Sequence, residues 1–454
     1  MFRRILIANR GEVATRIART CHRLGIEVVA AVSEADRDQQ WLEEADVVSV
    51  IGPARASGSY LDAGALVETA VHHHCSAVHP GWGFLAENAL FAVRCAAAGL
   101  TFVGPSPEHL RAMGDKALAR ASMKALGMPV IPGTEEPVTD LEAARAAAEE
   151  IGYPLLIKAV AGGGGRGMRG VDAPEDLREA FESASAEASS AFGDGRLYLE
   201  RRIDGGRHVE VQVIADRFGT CLHLGERECS LQRRHQKVLE EAPSPGLPPA
   251  ERERILPLVA DVIGRSGYRN AGTVEMLLDP DGRAWFMEMN TRLQVEHPVT
   301  EAITGLDIVE LQLRVAANEP LPIAQDDVTF HGHAIECRIN AEDPADGFRP
   351  CPGTVSALRF PQGEGIRVET HLRSGDRIPP FYDSMVAKLI VHAADRAAAI
   401  ERVTAALDAT AVLGVTTNLA LHRRIVRWDA FRSGHYDTTS LERELVPTLA
   451  TGGA

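Results

Sequence analysis

Residues 273–279 and 284–290 read as two strands joined through Pro280-Asp281-Gly282-Arg283, and Asp-Gly is a strong two-residue hairpin signal. Counting back from that turn sets Glu275 opposite Glu288. Directly opposed residues lie roughly 4.5–5.5 Å apart, where like charges destabilise a sheet. A fold that contains this hairpin must therefore bring positive charge to two facing carboxylates. A four-residue loop keeps the pairing, whereas a bulge shifts it.

From Met287 to His297 the sequence alternates, with Glu288, Asn290, Arg292, Gln294 and Glu296 between mostly apolar neighbours. An extended backbone sets all five on one face. Alternation alone also describes an amphipathic strand with its polar side in water, and the opposed carboxylates tip the balance toward a site. Oxygen ligands from Glu275, Glu288 and the Asn290 amide suit hard Mg²⁺, which binds through carboxylates together with substrate phosphates. A nucleotide is expected nearby.

With 454 residues the chain exceeds one ordinary core and should divide into about two to four domains. A net charge of -15 argues against nucleic acid as a general partner, which makes local basic clusters more informative. Seven cysteines lie scattered without metal-type pairs, as suits free thiols in a reducing compartment. The opening Met1-Phe2-Arg3-Arg4-Ile5-Leu6-Ile7 enters a strand at once, and no apolar run is long enough to span a bilayer. No signal peptide or membrane contact is expected, and the cytoplasm is the default. Lysines are few beside arginines, so Lys116, Lys124, Lys158, Lys237 and Lys388 each invite a separate question.

The chain opens as a doubly wound α/β unit. Strands are expected at 4–9, 28–32, 47–50, 77–79 and 101–103, with Val13, Ile17, Cys21 and Leu24 on one helix face. Asn9-Arg10-Gly11-Glu12 fills the first turn and lacks the further glycines of a dinucleotide fingerprint, which disfavours a nicotinamide enzyme. This unit should end at 113. A helix from about 116 to 126 leads into a more antiparallel domain at 114–328, and a third, α+β domain follows at 329–447, with strands at 333–339, 354–358 and 385–391 before a helix at 397–407.

Four other constellations carry chemistry. A strand at 155–160 bears Lys158 and runs into Gly162, Gly163, Gly164 and Gly165, a run whose N–H groups can close around phosphate oxygens. No Gly-Lys-Ser/Thr ends it, so a flap between strands fits better than a Walker loop, with a plain flexible linker as the alternative. Glu226-Arg227-Glu228-Cys229-Ser230-Leu231-Gln232-Arg233-Arg234-His235-Gln236-Lys237 packs cations densely in an acidic protein, as an anion site or a solvated charge run. Cys229 within it has no identifiable partner base and reads as a bystander. His79-Pro80-Gly81-Trp82-Gly83-Phe84 ends a first-domain strand, where open α/β sheets place ligand loops. Arg338 falls in a strand of the third domain, where a salt bridge is the commoner role.

Together these blocks resemble the biotin carboxylase family over nearly the whole chain. The likeness includes Glu288-Met-Asn-Thr-Arg-Leu-Gln-Val-Glu-His-Pro, the 232–237 run, Gly332-His-Ala-Ile-Glu-Cys-Arg-Ile-Asn-Ala-Glu-Asp-Pro and Tyr382-Asp-Ser-Met-Val-Ala-Lys-Leu-Ile. The resemblance implies an ATP-grasp fold of mixed α/β and α+β class: a doubly wound pre-ATP-grasp domain, an ATP-binding domain with a mobile lid at about 131–203, and a C-terminal biotin carboxylase domain. It further implies that Lys116, Lys158 and His208 contact ATP phosphates under the 162–165 loop. Glu200, Gln232, His235 and Leu277 would line the nucleotide pocket, and Glu275, Glu288 and Asn290 would hold two Mg²⁺ or Mn²⁺ ions.

The implied chemistry is carboxylation of biotin. Bicarbonate held by Lys237, Arg292, Gln294 and the Val295 backbone loses its proton to Glu296 and attacks ATP to form carboxyphosphate; Arg338 stabilises the biotin enolate. Biotin would arrive on a separate carrier protein, unless the chain is a fragment of a longer fused subunit, since the Met-Lys-Met attachment motif is absent. A carboxyltransferase and a second copy of the chain are the other implied partners. Two positions depart from the family pattern, Trp82 for a usual Tyr and Arg202 for a usual aromatic, near the expected biotin and adenine contacts. The competing readings are an ATP-grasp ligase that passes its acyl phosphate to an amine and a non-catalytic scaffold; the intact set of charged residues disfavours the scaffold.

Overall fold

The computed structural model describes residues 1–160 and 168–449. The doubly wound start is realised as five parallel strands, β1 (Arg4–Ile7), β2 (Glu27–Ser33), β3 (Val47–Gly52), β4 (Ala77–His79) and β5 (Thr101–Phe102), in the order β3-β2-β1-β4-β5. Burial on both faces is why β1 and β2 read as continuous apolar runs rather than alternating ones. Helix Gly11–Arg23 buries Val13, Ile17 and Cys21, whereas Leu24 caps the helix and is only partly covered.

Strand order reverses between β1 and β4, the place where such sheets open a ligand crevice. Here the crevice is filled by the chain's own side chains. Asn9 Nδ2 donates to the carbonyls of Pro80 and Trp82, both at 2.7 Å. Gly81 permits that approach: its φ is +63°, and a Cβ there would sit 2.9 Å from Asn9 Nδ2. Arg10 grips Asp36 with two bonds of 2.6 and 2.9 Å, and Glu12 meets Lys388, from the C-terminal third, at 3.1 Å. The first turn lacks dinucleotide glycines because it docks protein.

The next segment forms a small antiparallel sheet, β6 (Leu155–Ala159), β7 (Met168–Val171) and β8 (Leu197–Arg201), in the order β7-β6-β8. Helices Leu141–Ile151 and Leu177–Phe192 help to close its separate core around Leu155, Ile157, Leu197 and Leu199. The expected glycine flap, Gly162 to Gly165, lies outside the described residues.

The largest element is one eight-stranded sheet. It comprises β9 (Arg207–Ala215), β10 (Cys221–Arg233), β11 (Gln236–Ala242), β12 (Asn270–Leu278), β13 (Ala284–Asn290), β14 (His333–Asn340) and the strands Ile366–Glu369 and Met385–Ala393. β11 pairs antiparallel with β14 from Leu239↔Cys337 to Ala242↔Ala334. Position 328/329 therefore separates two halves of a single sheet at the level of hydrogen bonding. One face packs Val209, Val211, Val213, Val274 and Met276 with Val259 and Ile263 of helix Pro249–Arg265, and Ile335, Cys337, Leu389 and Val391 with Ile400 and Val403 of helix Arg396–Ala409. The strand anticipated at 354–358 is instead two short ones, Gly353–Thr354 and Ala357–Arg359, each with a different partner.

Glu275 stands opposite Glu288, as counted, but by two offsetting irregularities. The loop has three central residues: Gly282, at φ +80°, lets Asp279 N–H reach the Arg283 carbonyl, so Leu278 pairs with Ala284. A bulge at Met287 then restores the count, turning Met287 toward solvent while Phe286 and Met289 both enter the core.

Glu241 of β11 ties this sheet to the C-terminal segment. It is fully buried and accepts from Arg396 Nε at 2.7 Å and Tyr436 Oη at 2.5 Å, with His333 Nε2 at 2.6 Å. Burial pushes its carboxyl up, but bonds to His333 and Arg396 outweigh that and hold it down at about 2. A depressed folded-state value means the stabilisation is fully present above the ordinary carboxylate range and fades as pH falls toward 2. Glu241→Gln should lower stability at neutral pH by on the order of 3 kcal/mol, and the gap from the parent should narrow between about pH 4.5 and 2, measured as thermal midpoints.

Candidate functional site

The face of the large sheet opposite its core carries a polar stripe. Register sets Glu210 beside Glu275 and Glu275 beside Glu288, so three carboxylates form a row across β9, β12 and β13. Further along, Glu240 faces Glu336 across β11 and β14, and Arg338 faces Lys388. Period-two alternation produces the stripe: Val209, Val211, Ile335 and Cys337 fill the core while the intervening residues point away from it.

At its centre Lys237 Nζ lies 2.5 Å from Glu210, 3.1 Å from Glu275 and 2.6 Å from Glu296. Arg338 Nη2 reaches the second Glu296 oxygen at 2.8 Å and also forms an ion pair with Glu240. Below them Arg227, wholly buried, donates to Glu210 at 2.5 Å, Gln212 at 2.8 Å and Thr300 at 2.9 Å. Burial pushes the Glu296 carboxyl up, but the charges of Lys237, Arg338 and Arg227 outweigh it and hold the group well below the usual range. Lys237 is raised well above its ordinary value, because the surrounding carboxylates overcome its own desolvation.

The expectation of one extended face from Glu288 to Glu296 holds for its first two members. β13 ends at Asn290, and residues 291–296 form a loop leading into helix His297–Thr304, with Glu296 at the N-cap. A strand would lose its ladder partners here, and side chains supply the contacts instead. Glu87 accepts from Thr291 N–H at 2.9 Å and Arg292 Nε at 2.9 Å. Arg292 in turn donates to Gln294 Oε1 at 2.7 Å and Asn290 Oδ1 at 2.9 Å. The loop still returns Glu296 to the stripe.

Glu275, Glu288 and Asn290 offer oxygen ligands of the kind that hold Mg²⁺ or Mn²⁺. Glu275 is bordered by His208 Nε2 at 3.4 Å and Lys237 at 3.1 Å, and Glu288 by Lys116 at 2.8 Å. Among the described residues, the buried His208 Nε2 and Gln294 Nε2 have no hydrogen-bond partner. Asn290 presents its amide nitrogen to Glu275 at 2.7 Å and its oxygen to Arg292. Its entry into a cation's shell requires the amide to turn over.

The remaining nucleotide-pocket candidates are placed separately. Lys158 and Glu200 pair with each other on β6 and β8. Leu277 is half-buried beside His208, and Gln232 sits opposite Lys237. His235 is exposed in a two-residue turn whose Arg234 and His235 both have positive φ, 46° and 65°. No hydrogen bond or ion pair among the described residues joins Lys158 or Glu200 to the carboxylate row.

Three family models match in chain order: biotin carboxylase N-terminal domain at 1–110, carbamoyl-phosphate synthase L chain ATP-binding domain at 115–324, and biotin carboxylase C-terminal domain at 336–443. Biotin carboxylase of Pseudomonas aeruginosa is 50% identical over 98% of this chain and 99% of its own. The chain belongs to the biotin carboxylase family. The biotin carboxylase domain dimer of Hydrogenobacter thermophilus 2-oxoglutarate carboxylase, solved with MgADP, ADP and bicarbonate, superimposes with a TM-score of 0.92 at 45% identity, covering 100% of both chains. A pyruvate carboxylase subunit of Methanothermobacter thermautotrophicus is 48% identical over 96% of this chain and 89% of its own. As a biotin carboxylase the chain is a ligase that couples ATP cleavage to carboxylation of biotin. Only the middle match is shared with the amine-directed reading; the two flanking matches decide for biotin.

Both departures from the biotin carboxylase pattern have structural partners. Trp82 donates from Nε1 to Glu12 at 3.2 Å. Arg202 pairs with Asp172 and Asp204 at 2.5 and 2.9 Å, lying over Gly170, where a Cβ would come within 2.7 Å of its guanidinium. Cys229 is buried, and desolvation raises its thiol well above the ordinary value, as suits a bystander. Sequence reading missed Glu210, Glu240 and Glu87, and marked Arg227 only as part of the cation-rich stretch 226–237. His208-Val-Glu-Val-Gln carried the signal for Glu210, a period-two set of polar residues between valines, whereas Glu87 has no local pattern.

Glu210 joins the two cations on which the stripe rests, so Glu210→Ala leaves Arg227 buried without its carboxylate. The variant should lose on the order of 3–5 kcal/mol, read as a lowered urea midpoint, while Glu87→Ala, at an exposed position, should stay within about 1 kcal/mol of the parent.

Proposed function

We propose that Glu296 is the base of the carboxylation, poised between the cations that bind its substrates. The observation that supports this most is its position: one oxygen 2.6 Å from Lys237, the other 2.8 Å from Arg338, wholly buried at the head of a loop that also carries Arg292 and Gln294. Bicarbonate would lie against Lys237, Arg292, Gln294 and the Val295 N–H. Its hydroxyl proton passes to Glu296 as its oxygen bonds the γ-phosphorus of ATP and the bond to the β-phosphate oxygen breaks, releasing ADP. Carboxyphosphate then separates into CO₂ and phosphate. Phosphate takes the biotin ureido proton, and the nitrogen so exposed bonds CO₂ while Arg338 balances the enolate charge.

A base with a depressed pKa is a weak proton acceptor. Substrate anions relieve this, because Lys237 and Arg338 must share their charge with bicarbonate and the enolate, and Glu296 gains basicity as it loses cationic contact. Glu275, Glu288 and Asn290 would hold two Mg²⁺ or Mn²⁺ ions, which neutralise charge on the transferred phosphoryl group when bound. Lys116, Lys158 and His208 would contact the phosphates, with Gly162, Gly163, Gly164 and Gly165 covering them and Glu200, Gln232, His235 and Leu277 lining the base pocket.

The same reading assigns biotin to a carrier outside this chain: Met123-Lys124-Ala125 lies inside helix Lys116–Ala125, not in a carrier motif. A carboxyltransferase completes the cycle in the cytoplasm and sets the final acceptor, because relatives named for pyruvate and 2-oxoglutarate carboxylation share this half of the machinery. The working form is a homodimer, with division into 1–113, 114–328 and 329–447 and a lid at 131–203. No helix among the described residues is long and apolar enough to cross a membrane.

Glu296→Ala and Arg338→Ala test the reading. Lys237 retains Glu210 and Glu275, and Arg338 retains Glu240, so the fold should survive. Biotin-dependent ATP hydrolysis in bicarbonate buffer should fall by about 10²–10⁴-fold in each; near-parental turnover of either purified variant would remove that residue from the mechanism.

A further inference from the structure

We propose that His297 and Lys388 are positioning residues of the bicarbonate site, gripping the carbonyls of Gln294 and Val295 so that the peptide planes of the anion loop face the substrate. The inference rests on the reading that residues 292–296 hold bicarbonate, and it concerns what holds that loop. Between β13 and helix His297–Thr304 the backbone has no strand partner, and its peptide planes need another anchor. His297 Nδ1 lies 2.7 Å from the Gln294 carbonyl oxygen. Lys388 Nζ lies 2.8 Å from the Val295 carbonyl oxygen. Both side chains are wholly buried.

A trans peptide is planar, with its C=O and N–H on opposite sides. The plane whose carbonyl His297 grips is the plane that carries the Val295 N–H, so fixing that oxygen inward aims the N–H away from His297. The plane whose carbonyl Lys388 grips leads into the Glu296 Cα and sets where the carboxylate starts. A carbonyl only accepts, so His297 must carry its proton on Nδ1. Burial, with the charges of Lys388, Arg16 and Arg367, holds the ring neutral. Among the described residues Nε2 has no hydrogen-bond partner and lies 4.0 Å from Glu301. Lys388 is held in turn by Glu12 at 3.1 Å, whose other oxygen accepts from Trp82. The anion loop is thus braced from the third segment of the chain and, through Glu12, from the first.

The test is a split of kinetic constants in the full chain, with bicarbonate, ATP and free biotin as substrates. Asn places an amide nitrogen where His carries Nδ1, and Gln places one where His carries Nε2. His297→Leu and His297→Gln should raise the bicarbonate KM about tenfold, with the ATP KM within about twofold of the parent, and His297→Asn should recover most of that loss. Lys388→Met combined with Glu12→Gln removes the opposing charges together and should shift the bicarbonate KM in the same way, which keeps the proposal testable if the His297 variants do not fold. Arg292→Ala is the control. An unchanged bicarbonate KM in the His297 and Lys388 variants, with Arg292→Ala raising it, overturns the proposal and spares the site. An Asn variant no better than Gln assigns His297 to packing and also overturns it. An unchanged value in Arg292→Ala as well overturns the bicarbonate site itself.

Discussion

Charge balance on one buried sheet face governs the architecture. Glu210, Glu240 and Glu296 are wholly buried, and each carboxylate removed from water costs several kcal/mol unless a cation and hydrogen bonds meet it. Arg227, Lys237 and Arg338 meet that cost by each contacting more than one acceptor. Lys237 and Arg338 are shared between carboxylates, so removal of Glu296 leaves each with another, whereas Arg227 has Glu210 as its carboxylate. Strand order follows from this sharing, since Lys237 on β11 can reach Glu210 and Glu275 only with β9, β10 and β12 stacked beside it.

The same sheet contains two kinds of opposed carboxylates. In the Glu210, Glu275 and Glu288 row the compensating charge comes from Arg227, Lys237 and Lys116, and Glu288 is partly open. Glu240 and Glu336 face each other in full burial, and desolvation raises both carboxyls above the ordinary range, with Arg338 pulling Glu240 back and Lys388 pulling Glu336 back. Glu288 is open enough for a cation to reach it, whereas burial of the second pair favours the protonated form. Geometry that looks alike in register therefore sits in different surroundings at the two ends of the sheet.

This contrast explains what could be read from the residues alone. Glu275 and Glu288 are joined by a short hairpin, so their opposition follows from local counting, even though the loop and the bulge at Met287 each move it by one. Glu240 and Glu336 are brought together by the β11–β14 pairing, and no short-range pattern marks a contact between segments so far apart in the chain. The doubly wound opening was legible because parallel strands buried on both faces leave continuous apolar runs. The loop at 291–296 reads as strand in the sequence because alternation records which side chains face a site and not whether a ladder supports them. Family likeness supplied the names of Lys116, Lys158 and His208 as phosphate contacts; their spacing alone did not.

The crevice at the β1/β4 reversal shows how a ligand position can become structural. In an open α/β sheet that site takes a cofactor because the strand ends diverge there and leave room. Here Asn9, Arg10 and Glu12 fill it, and Glu12 reaches Lys388 on the far sheet. Burying a lysine is costly unless a carboxylate meets it, and docking of the first segment brings Glu12 to Lys388 on the strand Met385–Ala393. That strand in turn carries the ammonium that meets the Val295 carbonyl. Contacts to the loop at 291–296 thus come from both the first and the last segments of the chain as well as from the middle one.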